Sequence, residues 1–92
     1  MEVNLYATFR LIAGIKTFAI DLPVGARVMD AVREIVRLHP ALAPHWLDQD
    51  GSLHVHVHVF VDGNEAPTLP ESFETLLTPN CVLDFFPPVA GG

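Results

Sequence analysis

Residues 17–40 read TFAIDLPVGARVMDAVREIVRLHP, and within that stretch the hydrophobic period changes from two residues to about 3.6. Phe18, Ile20 and Leu22 alternate with Thr17, Ala19 and Asp21, which predicts a half-buried strand. Pro23-Val24-Gly25 ends it. From Ala26 onward Val28, Val32, Ile35 and Leu38 fall on one face with Ala31 beside them, while Arg27, Asp30, Glu34 and Arg37 lie mostly on the other. That is an amphipathic helix of about three turns. No Ser, Thr or Asn stands ready to cap it, so Gly25 is the cap candidate, and Asp30 suits the positive end of the helix dipole. Pro40 stops the helix and pushes His39 out of helical geometry.

Toward the N-terminus, Val3, Leu5, Ala7 and Phe9 alternate with Asn4, Tyr6 and Thr8, predicting a first strand up to the Ala13-Gly14 break. Two strands joined by a short Gly-containing link read as a hairpin. On the C-terminal side, residues 40–52 read as a loop or poor edge strand, with Trp46 and Leu47 folding back onto the core. Leu53 to Val61 predicts a strand with Val55, Val57, Val59 and Val61 on one face and His54, His56, His58 and Phe60 on the other. Asp62-Gly63-Asn64 turns the chain. Residues 65–79 are irregular, with a short strand near Ala66 and a helical turn around Glu71 to Leu76, and Cys81 to Phe86 is the last strand. The order β-β-α-β-(short elements)-β predicts an α+β domain, a mixed sheet of about four to five strands with one main helix packed on it. The architecture looks like a ubiquitin-like β-grasp over residues 1–86, with residues 87–92 as an extended tail.

Composition narrows the function classes. At 92 residues the chain is one domain, half of it hydrophobic and 17% charged, as a packed core requires. Eleven acids against five bases give a net charge of −6, which argues against direct contact with nucleic acid and favours a partner with a basic groove. Lys16 is the one lysine. No apolar run approaches a membrane span and MEVNLYATF lacks the pattern of a signal peptide, so neither membrane nor export is expected. A single cysteine, Cys81, fits the reducing cytoplasm.

The sequence ends FFPPVAGG, residues 85–92. Pro87 and Pro88 fix φ, end strand pairing and favour an extended course. Gly91 and Gly92 carry no β-carbon, so a terminal carboxylate could enter a channel too narrow for side chains. In the strand before it, Cys81, Leu83 and Phe85 share one face, and Val82, Asp84 and Phe86 the other. Because Asp84 would not be buried unpaired, its face is expected to meet solvent, leaving Phe86 and Val82 as a docking patch. The alternative is that Phe86 packs under residues 65–79.

Other constellations carry less chemistry. Three histidines in line on a strand converge poorly on a tetrahedral ion, and nothing in the sequence completes a site, so no metal is expected at His54, His56 and His58. Cys81 reads as core. Asp30 with Glu34, and Asp48 with Asp50, read as solvated acids. No Walker loop, dinucleotide fingerprint or zinc-protease motif is present, and no self-contained active site is evident.

These motifs resemble one family. The Ala13-Gly14 break, His39-Pro40-Ala41-Leu42, Asp50-Gly51-Ser52-Leu53, Val59-Phe60-Val61-Asp62-Gly63-Asn64 and above all Phe86-Pro87-Pro88-Val89-Ala90-Gly91-Gly92 are similar to MoaD-like sulfur carriers, close to the archaeal ubiquitin-like small modifiers. The resemblance implies that an E1-like (MoeB-like) adenylyltransferase adenylates the carboxylate of Gly92, and that a sulfur donor system turns it into a thiocarboxylate. It implies slim passage for Gly91, Ala90 and Val89, an exit set by Pro87 and Pro88, and partner contact by Phe86 and Val82. It implies no tightly bound cofactor, with ATP consumed by the activating enzyme. The expected role is the small subunit of molybdopterin synthase beside a MoaE-like large subunit, in molybdenum cofactor biosynthesis. The same activation serving tRNA thiolation or protein modification is the alternative. A plain interaction or metal-binding module is the reading from another class.

Overall fold

The structure, a computed structural model, describes residues 1–88. Its strands are β1 (Glu2–Leu5), β2 (Thr17–Ala19), β3 (His58–Val61), β4 (Asn64–Glu65) and β5 (Val82–Phe86), and its helices α1 (Ala7–Ala13), α2 (Val28–Leu38) and α3 (Ala43–Trp46). They form one mixed sheet in the order β2-β1-β5-β3-β4. The parallel pair β1 and β5 lies at its centre, with Asn4 opposite Asp84 and Leu5 opposite Phe85. All other pairings are antiparallel. This is the β-grasp that the element order predicts, and it places the last strand between the first and the third.

Helix α2 forms where the 3.6-residue period predicts it. Val28, Ala31, Val32 and Ile35 are fully buried against the sheet, whose inner face contributes Val3, Leu5, Val59, Leu83 and Phe85. Its cap lies two residues after the glycine. Arg27 is the N-cap, and its backbone N–H donates to Asp30 Oδ2 at 2.8 Å. Gly25 instead takes φ +93 in the turn that leads in, closed by Ala26 N–H donating to the Pro23 carbonyl.

Three segments depart from the sequence reading. The first strand ends at Leu5 and residues 7–13 are helical, so β1 and β2 are antiparallel neighbours joined by a helix, not a tight hairpin. Phe9, Ile12 and Ala13 turn inward at helical spacing, and Gly14 closes α1 in the left-handed conformation with its N–H on the Arg10 carbonyl. The β2 strand proper is short, although Ile20 stays buried and its backbone pairs with Met1. The alternating run 53–61 is a strand only over His58–Val61. Residues 54–57 form a turn, with Val57 N–H on the His54 carbonyl and Val55 81% exposed. Residues 40–46 make a 3₁₀ turn and α3, and Trp46 is buried as expected.

Candidate functional site: the open sheet face at the base of the tail

Strand β5 delivers two successive aromatics to opposite faces. Phe85 points inward and stacks on Trp46, with ring centroids 4.5 Å apart, and Trp46 in turn meets the edge of Phe9 at 5.5 Å. Phe86 points outward. It lies flat on Tyr6, centroids 4.1 Å apart and planes within 8°, and takes the edge of Phe60 at 5.5 Å. All three outward rings are half-buried. The aromatic partners of Phe86 are Tyr6 and Phe60, from β1's end and β3, and not residues of the segment 65–79.

A polar network continues this patch across the sheet. Asn4 Nδ2 donates to Asp84 Oδ1 and to Glu2 Oε2, both at 2.9 Å, while Thr17 Oγ1 donates to Asn4 Oδ1 at 2.8 Å. The Tyr6 hydroxyl donates to Asp84 Oδ1 at 3.2 Å. Asp84 therefore lies on the outer face as expected, but tied down by hydrogen bonds. Desolvation pushes the Tyr6 phenol above its ordinary value, and the Asp84 carboxylate, by charge and by accepting its proton, pushes the same way. Val82, half-buried on the same face, donates its N–H to Asp62 Oδ1 at 2.8 Å. Phe86 is thus braced at the tail's base by its own sheet. It is a firm, flat apolar surface with acids behind it.

Pairing stops at Phe86, opposite His58, and Pro87 and Pro88 leave the sheet. They line a cleft of about 290 Å³ together with Thr8, Phe9, Val57, His45, His54 and His56. The three histidines of the sequence pattern therefore do not share a strand face. His58 sits on the outer face beside Phe86, whereas His54 and His56 occupy the turn, where the His56 N–H donates to His54 Nδ1 at 3.1 Å. Among the described residues no three His, Cys, Asp or Glu side chains are grouped to hold a metal ion. Val89, Ala90, Gly91 and Gly92 lie outside the described residues.

The remaining candidates are structural. Cys81 is buried and its thiol is pushed up, first by desolvation, which makes it a poor nucleophile. Asp30 and Glu34 pair with Arg33 and Arg37 along the solvent face of α2, and Asp50 accepts from Ser52. Tyr6 and Phe60 are the site residues the sequence reading lacked. Phe60's even spacing along its strand was visible, but not which strand would lie beside it.

The ThiS family model matches residues 3–92, a span that includes the terminal glycines. The chain belongs to the ThiS family. Small archaeal modifier protein 1 of Haloferax volcanii is 37% identical over 92 residues, all of both chains. Its crystal structure superposes with a TM-score of 0.89 at 33% identity, covering 99% of this chain and 97% of that one. A Pyrococcus furiosus protein provisionally assigned as molybdopterin converting factor, subunit 1, gives a TM-score of 0.75 at 31% identity, over 96% and 95% of the two chains. This ThiS-family member is therefore a ubiquitin-like β-grasp protein of the sulfur-carrier and small-modifier group. No helix among its described residues is long and apolar enough to cross a membrane.

Proposed function

We propose that this chain is a ubiquitin-like carrier whose terminal carboxylate, on Gly92, is activated by an E1-like adenylyltransferase and passed to protein lysines or to sulfur. The observation that carries the reading is the full-length likeness to small archaeal modifier protein 1, with a family match that runs to the last glycine. A carboxylate is a poor electrophile. Adenylation supplies a leaving group, so that a lysine amine can displace AMP to form an isopeptide, or sulfur can displace it to form a thiocarboxylate. In this scheme Phe86, Tyr6, Phe60 and Val82 offer the enzyme a flat apolar landing, and Glu2 and Asp84 present negative charge to a basic groove. Pro87 and Pro88 direct Val89, Ala90, Gly91 and Gly92 toward the nucleotide.

Protein modification ranks above the pterin-synthase role because the modifier is matched over its whole length at the higher identity. The pterin role keeps one specific support, the Pyrococcus furiosus converting-factor subunit. Under it a MoaE-like large subunit receives the thiocarboxylate. Expression in cells with a MoeB-like enzyme decides between them. Lysine peptides bearing residues 85–92 of this chain as a remnant, released by cleavage after Asp84 because no basic residue follows Arg37, establish the modifier. Co-purification with a large subunit, with no such remnants, replaces it with the synthase.

A further inference from the structure

We propose that the turn at residues 54–57 is a second docking element for the activating enzyme, on the helix side of the tail's exit, with Val55 as its apolar contact. The inference deepens the reading above and rests on it, since it takes Gly92 as the activated residue.

Chain length brings the enzyme to this turn. Gly92 stands four residues after Pro88. Four residues reach at most about 14 Å when fully extended. An enzyme that holds the Gly92 carboxylate against a nucleotide therefore has its body within that reach of Pro88, and the walls around the exit lie against it. On the outer face of the sheet stands Phe86, with Tyr6 and Phe60. On the other side Pro87 and Pro88 border the cleft whose walls include Phe9, Val57, His45, His54 and His56. Phe9 and Val57 belong to the buried core beneath the helices, so an enzyme that grips the tail meets two faces of the domain.

The turn is braced for such a contact. The His54 N–H donates to the carbonyl of the fully buried Trp46 at 2.6 Å, the Val57 N–H to the His54 carbonyl at 3.0 Å, and the His56 N–H to His54 Nδ1 at 3.1 Å. Val57 is buried, yet Val55, two residues before it, stands in solvent. A pinned turn with a stiff β-branched side chain loses little freedom when a partner covers it. Removing that valine from water is favourable, and the imidazoles beside it offer hydrogen bonds to the same partner. Val24 gives the contrast. It is fully exposed too, but it follows Ile20, which pairs with Met1 at the end of the sheet opposite to Leu5 and Phe85, where the tail leaves.

The test follows thiocarboxylate formation by an E1-like adenylyltransferase, with ATP and a sulfur donor, over a range of carrier concentrations. Val55→Ser should raise KM about fivefold or more with kcat unchanged, because the contact is remote from the reacting carbon. Val55→Ile should restore the wild-type KM, and Val24→Ser should change neither constant. All three should keep the wild-type denaturation midpoint, since both positions are exposed. Hydrogen exchange on the wild-type carrier with the enzyme bound reads the contact directly: amides at 54–57 should slow, and those at 22–26 should not. A wild-type KM for Val55→Ser, an equal loss for Val24→Ser, or unchanged exchange at 54–57 would each overturn the inference while leaving activation intact. A wild-type chain that gains no sulfur, beside a control carrier that does, overturns the functional reading itself.

Discussion

Phe86 has a packing role and, in the proposed scheme, a docking role, and the two separate experimentally. Its ring is held by Tyr6 and Phe60, and aromatic pairs of this geometry contribute about 0.5–1.5 kcal/mol beyond area burial. Phe86→Ala should therefore lower stability by about 1–3 kcal/mol in a denaturant titration. It should also weaken activation by an E1-like enzyme more than that loss explains, since the folded variant lacks the landing. Phe86→Leu, keeping apolar area, should recover part of both. Tyr6, the only tyrosine, offers a second probe. Its phenol is pushed above the usual 10.0, chiefly by desolvation and then by Asp84, so folding favours the protonated form. That stabilisation is present below the unfolded value and is lost as pH rises through the folded one. A tyrosinate absorbance titration should show a midpoint above that of the unfolded chain. Asp84→Asn should lower it without restoring the unfolded value, because desolvation remains. An unchanged midpoint would contradict the network. Only part of this was legible from the residues alone: Phe86 and Val82 were marked by sharing the face of Asp84, but Tyr6 and Phe60 join them only through the β1–β5 and β3–β5 pairings.

At the scale of elements, α2 carries the layer against the sheet, and its charged face and buried face follow directly from its sequence period. Asp30→Ala removes the carboxylate that accepts the Arg27 N–H and faces the positive end of the helix, at a cost of about 1 kcal/mol. Val32→Ala, in contrast, opens space under the helix at a fully buried position and should cost about 1–3 kcal/mol. Thermal or urea denaturation of the two variants orders them, and a larger loss for Asp30→Ala would contradict the packing described. The helix was legible because two periods, polar and apolar, agree over eleven residues. α1 was not. Ala7 and Phe9 continue a period-two alternation that begins in β1, while Phe9, Ile12 and Ala13 also fit a helix, and Ala7 at φ +52 marks where the chain changes course. The His-Val run failed for the opposite reason. Its alternation is regular, but the turn at 54–57 needs a local reversal that hydrophobic pattern does not encode, and Val55 is left in solvent.

At the scale of the whole molecule, the fold fixes β5, the strand that leads to Pro87 and Pro88. The last strand is inserted between the first and third, so its position is secured from both sides by backbone pairing, and Trp46 packs on Phe85 from within. Truncating Trp46 should be costly, about 3–5 kcal/mol for Trp46→Ala, and should loosen the end of β5. The fold class was legible because strand and helix order restricts a chain of this length to few layered arrangements. The distinction between modifier and pterin-synthase subunit was not, because it depends on who receives the activated glycine, and the recipient leaves no pattern in the carrier's core. The measurement that tests the central claim is the intact mass after incubation with an E1-like adenylyltransferase, ATP and a sulfur donor. The account predicts a gain equal to one oxygen replaced by sulfur, absent when Gly92 is deleted. No gain, beside a control carrier that reacts with the same enzyme, would contradict it.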